Sequence, residues 1–313
     1  MSETHLLRRY PENPILTAAD FPRHVNSAFN AAAVKFNGQY LLLTRVEDLT
    51  GSSCLWLARS DAGVHFTPDP EPVLVPTSEE PFRAVENFSL EDPRITQIGD
   101  TFYITYVGYS EYGCVTILAQ TRDFERYERV AVMTLPDDKD VVLFPEKIGG
   151  RYAKLDRPMT RPPSAGDIWI SFSPDLIYWG DPRPVMTARP RKWDSFKIGA
   201  GAPPIKTPHG WLEIYHGVRS TAAGLLYRLG AVLLDLEQPW RVVGRASEAI
   251  LSPIMPEDFY GNVGNVVFTC GAILEDDGEL KVYYGAADQV MCLATAPADD
   301  VIALCLQGAG RGA

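Results

Sequence analysis

The chain has 313 residues, 46% hydrophobic and 22% charged, a globular balance that excludes disordered and collagen-like classes despite 25 Gly and 25 Pro. Asp and Glu number 40 against 29 Lys and Arg, and the net charge of −11 argues against nucleic acid and anionic membrane surfaces as partners. No apolar run reaches the roughly 18 to 20 residues that span a bilayer, and the opening MSETHLLRRYPENP lacks a secretory apolar segment, so a cytoplasmic protein is expected.

In chain order, one pattern recurs five times: a Gly-led turn, an alternating strand, a polar gap, and a second strand that ends in a short acidic turn. The units run from Gly38 to Asp61, Gly99 to Asp123, Gly150 to Asp175, Gly210 to Asp235 and Gly278 to Asp299. Successive lead glycines stand 61, 51, 60 and 68 residues apart. Alternation is plain in the second unit, where Thr101, Tyr103 and Thr105 oppose Phe102, Ile104 and Tyr106. A repeat of this length carrying several strands is propeller-like. A pair of β-sandwiches would also give short strands, but it does not require five similar strand pairs with one closing turn. The expected fold class is all-β, a β-propeller in a single domain, with a core over about 12–300, short tails and no long amphipathic helix. Gly308 onward reads as a frayed tail.

The five cysteines are scattered and never form a CxxC pair, which predicts reduced buried thiols rather than disulfides or a zinc knuckle. No two of the five histidines have the i, i+4 spacing of a helical metal site. Gly199-Ala200-Gly201 is followed by Pro203 and Pro204, not by a helix, so it is no dinucleotide fingerprint. No metal and no cofactor are expected.

Charged residues inside apolar strands are the candidates for chemistry, because a propeller converges such strands on one axial funnel. Asp92 lies in LEDPRI, where Pro93 predicts an extended backbone. The basic candidates are Arg45, Arg59, Lys139, Arg157, Lys197 and His216, each in or beside a predicted strand; converging from different blades, they would form an oxyanion site. Tyr106, Tyr109, Tyr215, Tyr283 and Tyr284 lie in or next to the same strands and offer faces on which sugar rings stack.

Taken together, NSAFN from Asn26, EDPR from Glu91, KDVVLFPEK from Lys139, the Arg157-Pro158 pair, KIGAGAPP from Lys197, YHGV from Tyr215, GNVGNVVF from Gly261 and YYGAAD from Tyr283 resemble glycoside hydrolase family 130. That family comprises inverting β-mannoside phosphorylases built on a five-bladed β-propeller. The resemblance implies that Asp92 is the proton donor and that Lys139, Arg157, Lys197 and His216 hold inorganic phosphate, the co-substrate. It further implies that Asp288 binds the mannosyl unit, with Asn26 and Ser27 as further sugar contacts. Arg45, Arg59 and Tyr106 are carried as substrate-binding positions. One departure is that the family pattern Leu-His-Arg-Pro reads Leu155-Asp156-Arg157-Pro158 here. Strand alternation would turn Asp156 away from Arg157, whereas a kink at Pro158 would bring it into the pocket.

The chemistry suits such residues. An inverting glycosidase needs two carboxylates, one as acid and one to activate water. A phosphorylase needs only the acid, since phosphate is already anionic, together with a cationic pocket that aims it. Asp92 is expected to have a raised pKa from partial burial. The predicted activity is phosphorolysis of a β-mannoside to α-mannose 1-phosphate. A β-mannoside hydrolase and a non-catalytic carbohydrate-binding propeller are the competing readings. Oligosaccharide and phosphate are the expected partners, and a homo-oligomer is compatible with the resemblance.

Overall fold

The structure, a computed structural model, describes residues 6–159, 165–222 and 224–309. Five antiparallel sheets succeed one another along the chain. After a short N-terminal strand β1 (Arg8–Arg9), sheet I holds β2 (Ser27–Phe36), β3 (Gln39–Glu47), β4 (Ser53–Ser60) and β5 (Thr67–Pro68). Sheet II holds β6 (Ser89–Ile98), β7 (Thr101–Ser110), β8 (Gly113–Thr121) and β9 (Glu128–Val132). Sheet III holds β10 (Asp138–Leu143), β11 (Tyr152–Pro158), β12 (Ile168–Ser173) and β13 (Gly180–Met186). Sheet IV holds β14 (Lys197–Ala200), β15 (Ile205–Thr207), β16 (Gly210–Thr221), β17 (Gly224–Leu234) and β18 (Val242–Arg245). Sheet V holds β19 (Val267–Leu274), β20 (Glu279–Ala286) and β21 (Val290–Pro297), and β1 joins it as the outermost strand, with Arg8 opposite Thr295 and Arg9 opposite Ala294. This is a five-bladed β-propeller whose ring is closed by pairing the two ends of the chain.

The sequence repeat has a simple physical origin. Each lead glycine sits at the hairpin from the first to the second long strand of its blade, and Gly38, Gly99, Gly150 and Gly278 have φ between +65° and +87° there, a conformation glycine adopts without steric cost. The closing turn is a side-chain cap. Ser60, Thr121 and Ser173 accept backbone N–H groups two and three residues on, and Asp123, Asp175 and Asp235 do the same for the residues that follow them. Interlocking apolar faces of neighbouring blades form the core, with Trp56, Trp211, Phe29 and Phe144 among its fully buried side chains.

Both ends correct the expected tails. Leu7 is buried and Arg9 is anchored to Ser252, Asp258 and Tyr284, so the fold begins well before residue 12. A helix α1, spanning Ala298–Ala309, buries Val301, Ile302 and Cys305 against sheets IV and V and takes in Gly308, where the frayed tail was expected to begin; the rest of that tail, from residue 310, lies outside the described residues. Its apolar spacing is short enough to pass for a loop.

Candidate active site

Four of the innermost strands break regular pairing near the same end, β19 between Thr269 and Gly271 and three others around an Asn or Asp. The register shifts between Phe29 and Ala32 in β2, Glu91 and Arg94 in β6, and Lys139 and Val142 in β10. Inside each of these three interruptions one Asn or Asp adopts a left-handed backbone: Asn30 at φ 50°, Asp92 at 46° and Asp140 at 59°. A bulge inserts an unpaired residue and re-aims its side chain, and Asn and Asp tolerate this conformation better than other residues with a Cβ. The extended backbone expected of Asp92 ahead of Pro93 is therefore corrected, because the bulge outweighs the proline's bias.

All three side chains enter one cavity of about 220 Å³. On one side lie the carboxylates. Asn30 Nδ2 donates to Asp92 Oδ1 at 3.0 Å, Arg45 Nη1 donates to the same oxygen at 3.2 Å, and Arg45 Nη2 reaches Glu91 Oε1 at 3.1 Å. Asp288 follows β20 in a tight turn where Ala287 and Asp288 both have positive φ, 49° and 50°. Asn262 Nδ2 donates to the Asp288 carbonyl, and Ala287 N–H donates to Val266, which bracket that turn. Burial pushes the Asp92 carboxyl up, but Arg45, Arg94 and the Asn30 amide outweigh it and hold Asp92 below the usual carboxylate range. The expectation of a raised Asp92 is corrected for the free site. Burial and the charge of Asp92 instead push Asp288 up to about 7.

On the other side stand the cations. Lys139 and Arg157 face each other across β10 and β11, Lys197 opens β14, and His216 lies in β16. Arg157 Nε donates to Asp140 Oδ2 at 2.6 Å, and Lys139 Nζ is 3.7 Å from Glu91 Oε2. Lys197 has no carboxylate within ion-pair distance among the described residues, and its ammonium lies 5.2 Å from the Tyr227 ring centroid. Burial and the Arg157 charge bring Lys197 down to about 8. Burial takes His216 down to about 3 despite the Asp140 carboxylate, so it is a neutral imidazole, not the cation expected of it. Phe268 packs on His216 with ring centroids 4.6 Å apart. Asn30 Oδ1 and His216 Nδ1 are buried without a protein hydrogen-bond partner, an acceptor and a ring nitrogen left for a ligand.

Seven of the expected positions thus converge: Arg45, Asp92, Lys139, Arg157, Lys197, His216 and Asp288 line the cavity. Asn26 and Ser27 lie beside the Asp288 turn without lining it; Asn26 Nδ2 donates to Glu47, and Ser27 Oγ accepts from Asn262. Two positions lie elsewhere. Arg59 is held by Asp69 at 3.0 and 3.2 Å on the outer part of sheet I, and the Tyr106 hydroxyl donates to Glu86 at 2.7 Å inside the core. Both belong to second- and third-strand positions that face neighbouring elements rather than the axis. Asp156 lies on the face of β11 away from Arg157 and pairs with buried Lys154; beside it, burial and the Asp156 charge push Asp138 up to about 7. Asn30, Glu91, Arg94 and Asp140 were missed, although each is a letter of NSAFN, EDPR or KDVV. No cluster among the described residues has three His, Cys, Asp or Glu placed to hold a metal ion.

Fold and site define a class, the five-bladed β-propellers with a glycoside-processing site in the axial funnel. Within it, the chain belongs to glycoside hydrolase family 130, whose family model, described as beta-1,4-mannooligosaccharide phosphorylase, matches residues 6–307. It is 37% identical to a beta-1,2-mannobiose phosphorylase of Listeria innocua, over 90% of this chain and 94% of that one. Similarity to a beta-1,4-mannooligosaccharide phosphorylase of Ruminococcus albus is 36% identity, over 94% and 89%. The solved Listeria innocua beta-1,2-mannobiose phosphorylase, in complex with beta-1,2-mannobiose, superposes with a TM-score of 0.88 at 35% identity, covering 96% of this chain and 99% of that one.

Proposed function

We propose that the chain is an inverting phosphorylase that cleaves a β-mannoside with inorganic phosphate to give α-mannose 1-phosphate and a shortened sugar. The observation that carries this reading is the division of one cavity into a carboxylate side and a cationic side, with Lys197 in the latter outside ion-pair distance of any carboxylate among the described residues. Arg157, Lys197 and Lys139 neutralise phosphate and aim it at the anomeric carbon, while neutral His216 offers a hydrogen-bonding edge. Asp288, with Asn30 beside it, holds the mannosyl hydroxyls; Asn26 and Ser27 support that end of the site.

As the phosphate oxygen bonds to the anomeric carbon, the glycosidic bond breaks and its oxygen takes a proton supplied by Asp92. In the free site Asp92 is ionised, so it must gain a proton as substrates bind. Filling the cavity with a sugar excludes water, and an adjacent phosphate adds negative charge; both raise a carboxyl pKa.

No helix among the described residues is long and apolar enough to cross a membrane. The reading extends to an enzyme of the cytoplasm that acts on free oligosaccharides and is able to self-associate. The test is incubation with β-1,2- and β-1,4-mannobiose with and without phosphate. Cleavage that requires phosphate and yields α-mannose 1-phosphate is expected. Free mannose formed equally well without phosphate overturns the proposal in favour of hydrolysis.

A further inference from the structure

The cationic side of the cavity is organised by a buried carboxylate that faces the cations rather than a ligand. Asp140 is 2% exposed and is met by basic groups from three blades. Arg157 Nε donates to its Oδ2 at 2.6 Å, Arg94 Nη2 donates to Oδ1 at 3.1 Å, and His216 Nε2 stands 3.4 Å from Oδ2. Beneath it Arg94 is itself 2% exposed, and donates Nη1 to the Asp92 carbonyl at 2.9 Å and Nε to the Gly201 carbonyl at 3.2 Å. One guanidinium therefore fixes both the backbone that presents Asp92 and the carboxylate that holds Arg157. Space for this comes from blade IV. A Cβ on Gly199 would overlap Asp140 Oδ2 and fall 2.5 Å from His216 Cε1.

We infer that Asp140 is the positioning residue of the phosphate site, clamping Arg157 through Nε and His216 through Nε2, with Gly199 as the gap that admits the clamp. This rests on the proposed phosphorolysis. Arg157 is held through Nε, and no hydrogen bond joins its terminal nitrogens to a carboxylate among the described residues; the Asp140 carboxylate, 3.4 Å from His216 Nε2, favours the neutral tautomer with its proton on that nitrogen and Nδ1 as the acceptor. A direct phosphate ligand would carry positive charge or donate; Asp140 does neither and acts through the groups it orients.

Two substitutions approach the clamp from opposite sides: Asp140→Asn removes the charge with little change of shape, and Gly199→Ala drives a methyl group against the same carboxylate. Each is expected to raise both the KM for phosphate and the Kd for inorganic phosphate, measured by calorimetry, by roughly tenfold or more, the scale of a charge-assisted contact. The KM for the β-mannoside should change by less than about threefold, and the double variant should be little worse than the weaker single one because both remove one contact. A purely structural role would move both substrates' constants together. That result, or additive effects, overturns the inference. If Asp140→Asn fails to fold, the KM split in Gly199→Ala decides alone. Wild-type enzyme that binds phosphate yet releases only free mannose overturns the phosphorolysis, while the phosphate titration of the variants still decides the role of Asp140. Wild-type enzyme that binds no phosphate overturns both.

Discussion

Blades I to III and blades IV and V build the same cavity in opposite ways. The first three each push one Asn or Asp inward from a bulged innermost strand, Asn30, Asp92 and Asp140. The last two keep small residues at the axis, Gly199 to Gly201 in blade IV and Cys270 and Gly271, at a register shift of β19, in blade V, and deliver their functional groups from the start of β14, the middle of β16 and a turn: Lys197, His216 and Asp288. A ring of similar blades becomes an asymmetric site because some blades fill the axis and others leave room for what is pushed in.

That contrast can be broken most severely at blade II. Asp92→Asn is expected to lower turnover of a β-mannobiose by about a hundredfold or more, as loss of a positioned general acid does, with a smaller loss on a nitrophenyl mannoside whose leaving group needs no proton. Steady-state kinetics on folded protein checks it, and near-normal turnover would remove Asp92 from the acid's role. Next comes blade III. Arg157→Ala should raise the KM for phosphate by roughly tenfold to a hundredfold, the range for charge-assisted contacts, while the sugar KM shifts little; equal shifts would make Arg157 structural.

Blade IV sharpens the contrast through pH. Lys197 is held near 8, protonated below that value and neutral above it, so its attraction for phosphate is present at pH 7 and fades as pH rises through about 8. Phosphate affinity should fall up to about tenfold between neutral pH and pH 9.5, and Lys197→Arg should flatten the profile because Arg stays charged. A wild-type titration flat over that range would show that Lys197 does not face the ligand. The smallest effect is expected at Asp156, turned away from Arg157 and neutralised by Lys154. Asp156→Asn should change the phosphate KM by less than about tenfold and produce no change in free mannose released without phosphate. A drop in such hydrolysis would place Asp156 in the cavity after all.

The repeat legible in the sequence was that of the second and third strands. Lead glycines such as Gly38 and closing aspartates such as Asp123 mark hairpins and caps whose residue types are dictated by backbone geometry, and the long strands between them alternate cleanly. The innermost strands carry the chemistry and were visible only as motifs, because bulges at Asn30, Asp92 and Asp140 break the period of two on which strand reading depends. For the same reason Arg59 and Tyr106 looked suitable: they sit in regular strands, where alternation fixes a face but not which neighbour that face meets. Asp140 was hidden behind Lys139, since a carboxylate inside a cationic set is legible only once its three basic neighbours are in place. The neutrality of His216 likewise depends on burial, which residue identity does not report.

Four blades are each made from one continuous stretch of chain, and blade V borrows its outer strand from the other end. Arg9 bonds Asp258, Asp258 accepts through its carbonyl from Asn265 and Val266, and Val266 accepts from Ala287, the neighbour of Asp288. This N-terminal stretch can complete its bonds only once the far strand exists, because Asn13 Nδ2 donates to the Leu293 carbonyl, 280 positions later. At roughly 5 to 20 residues per second, that delay is on the order of 15 to 60 s on the ribosome. Until it ends, the Asp288 end of the cavity lacks this brace, and a chain arrested before Val290 should leave Arg8 and Arg9 open to protease. Protection of that segment in the arrested chain would show that it docks without its strand partner.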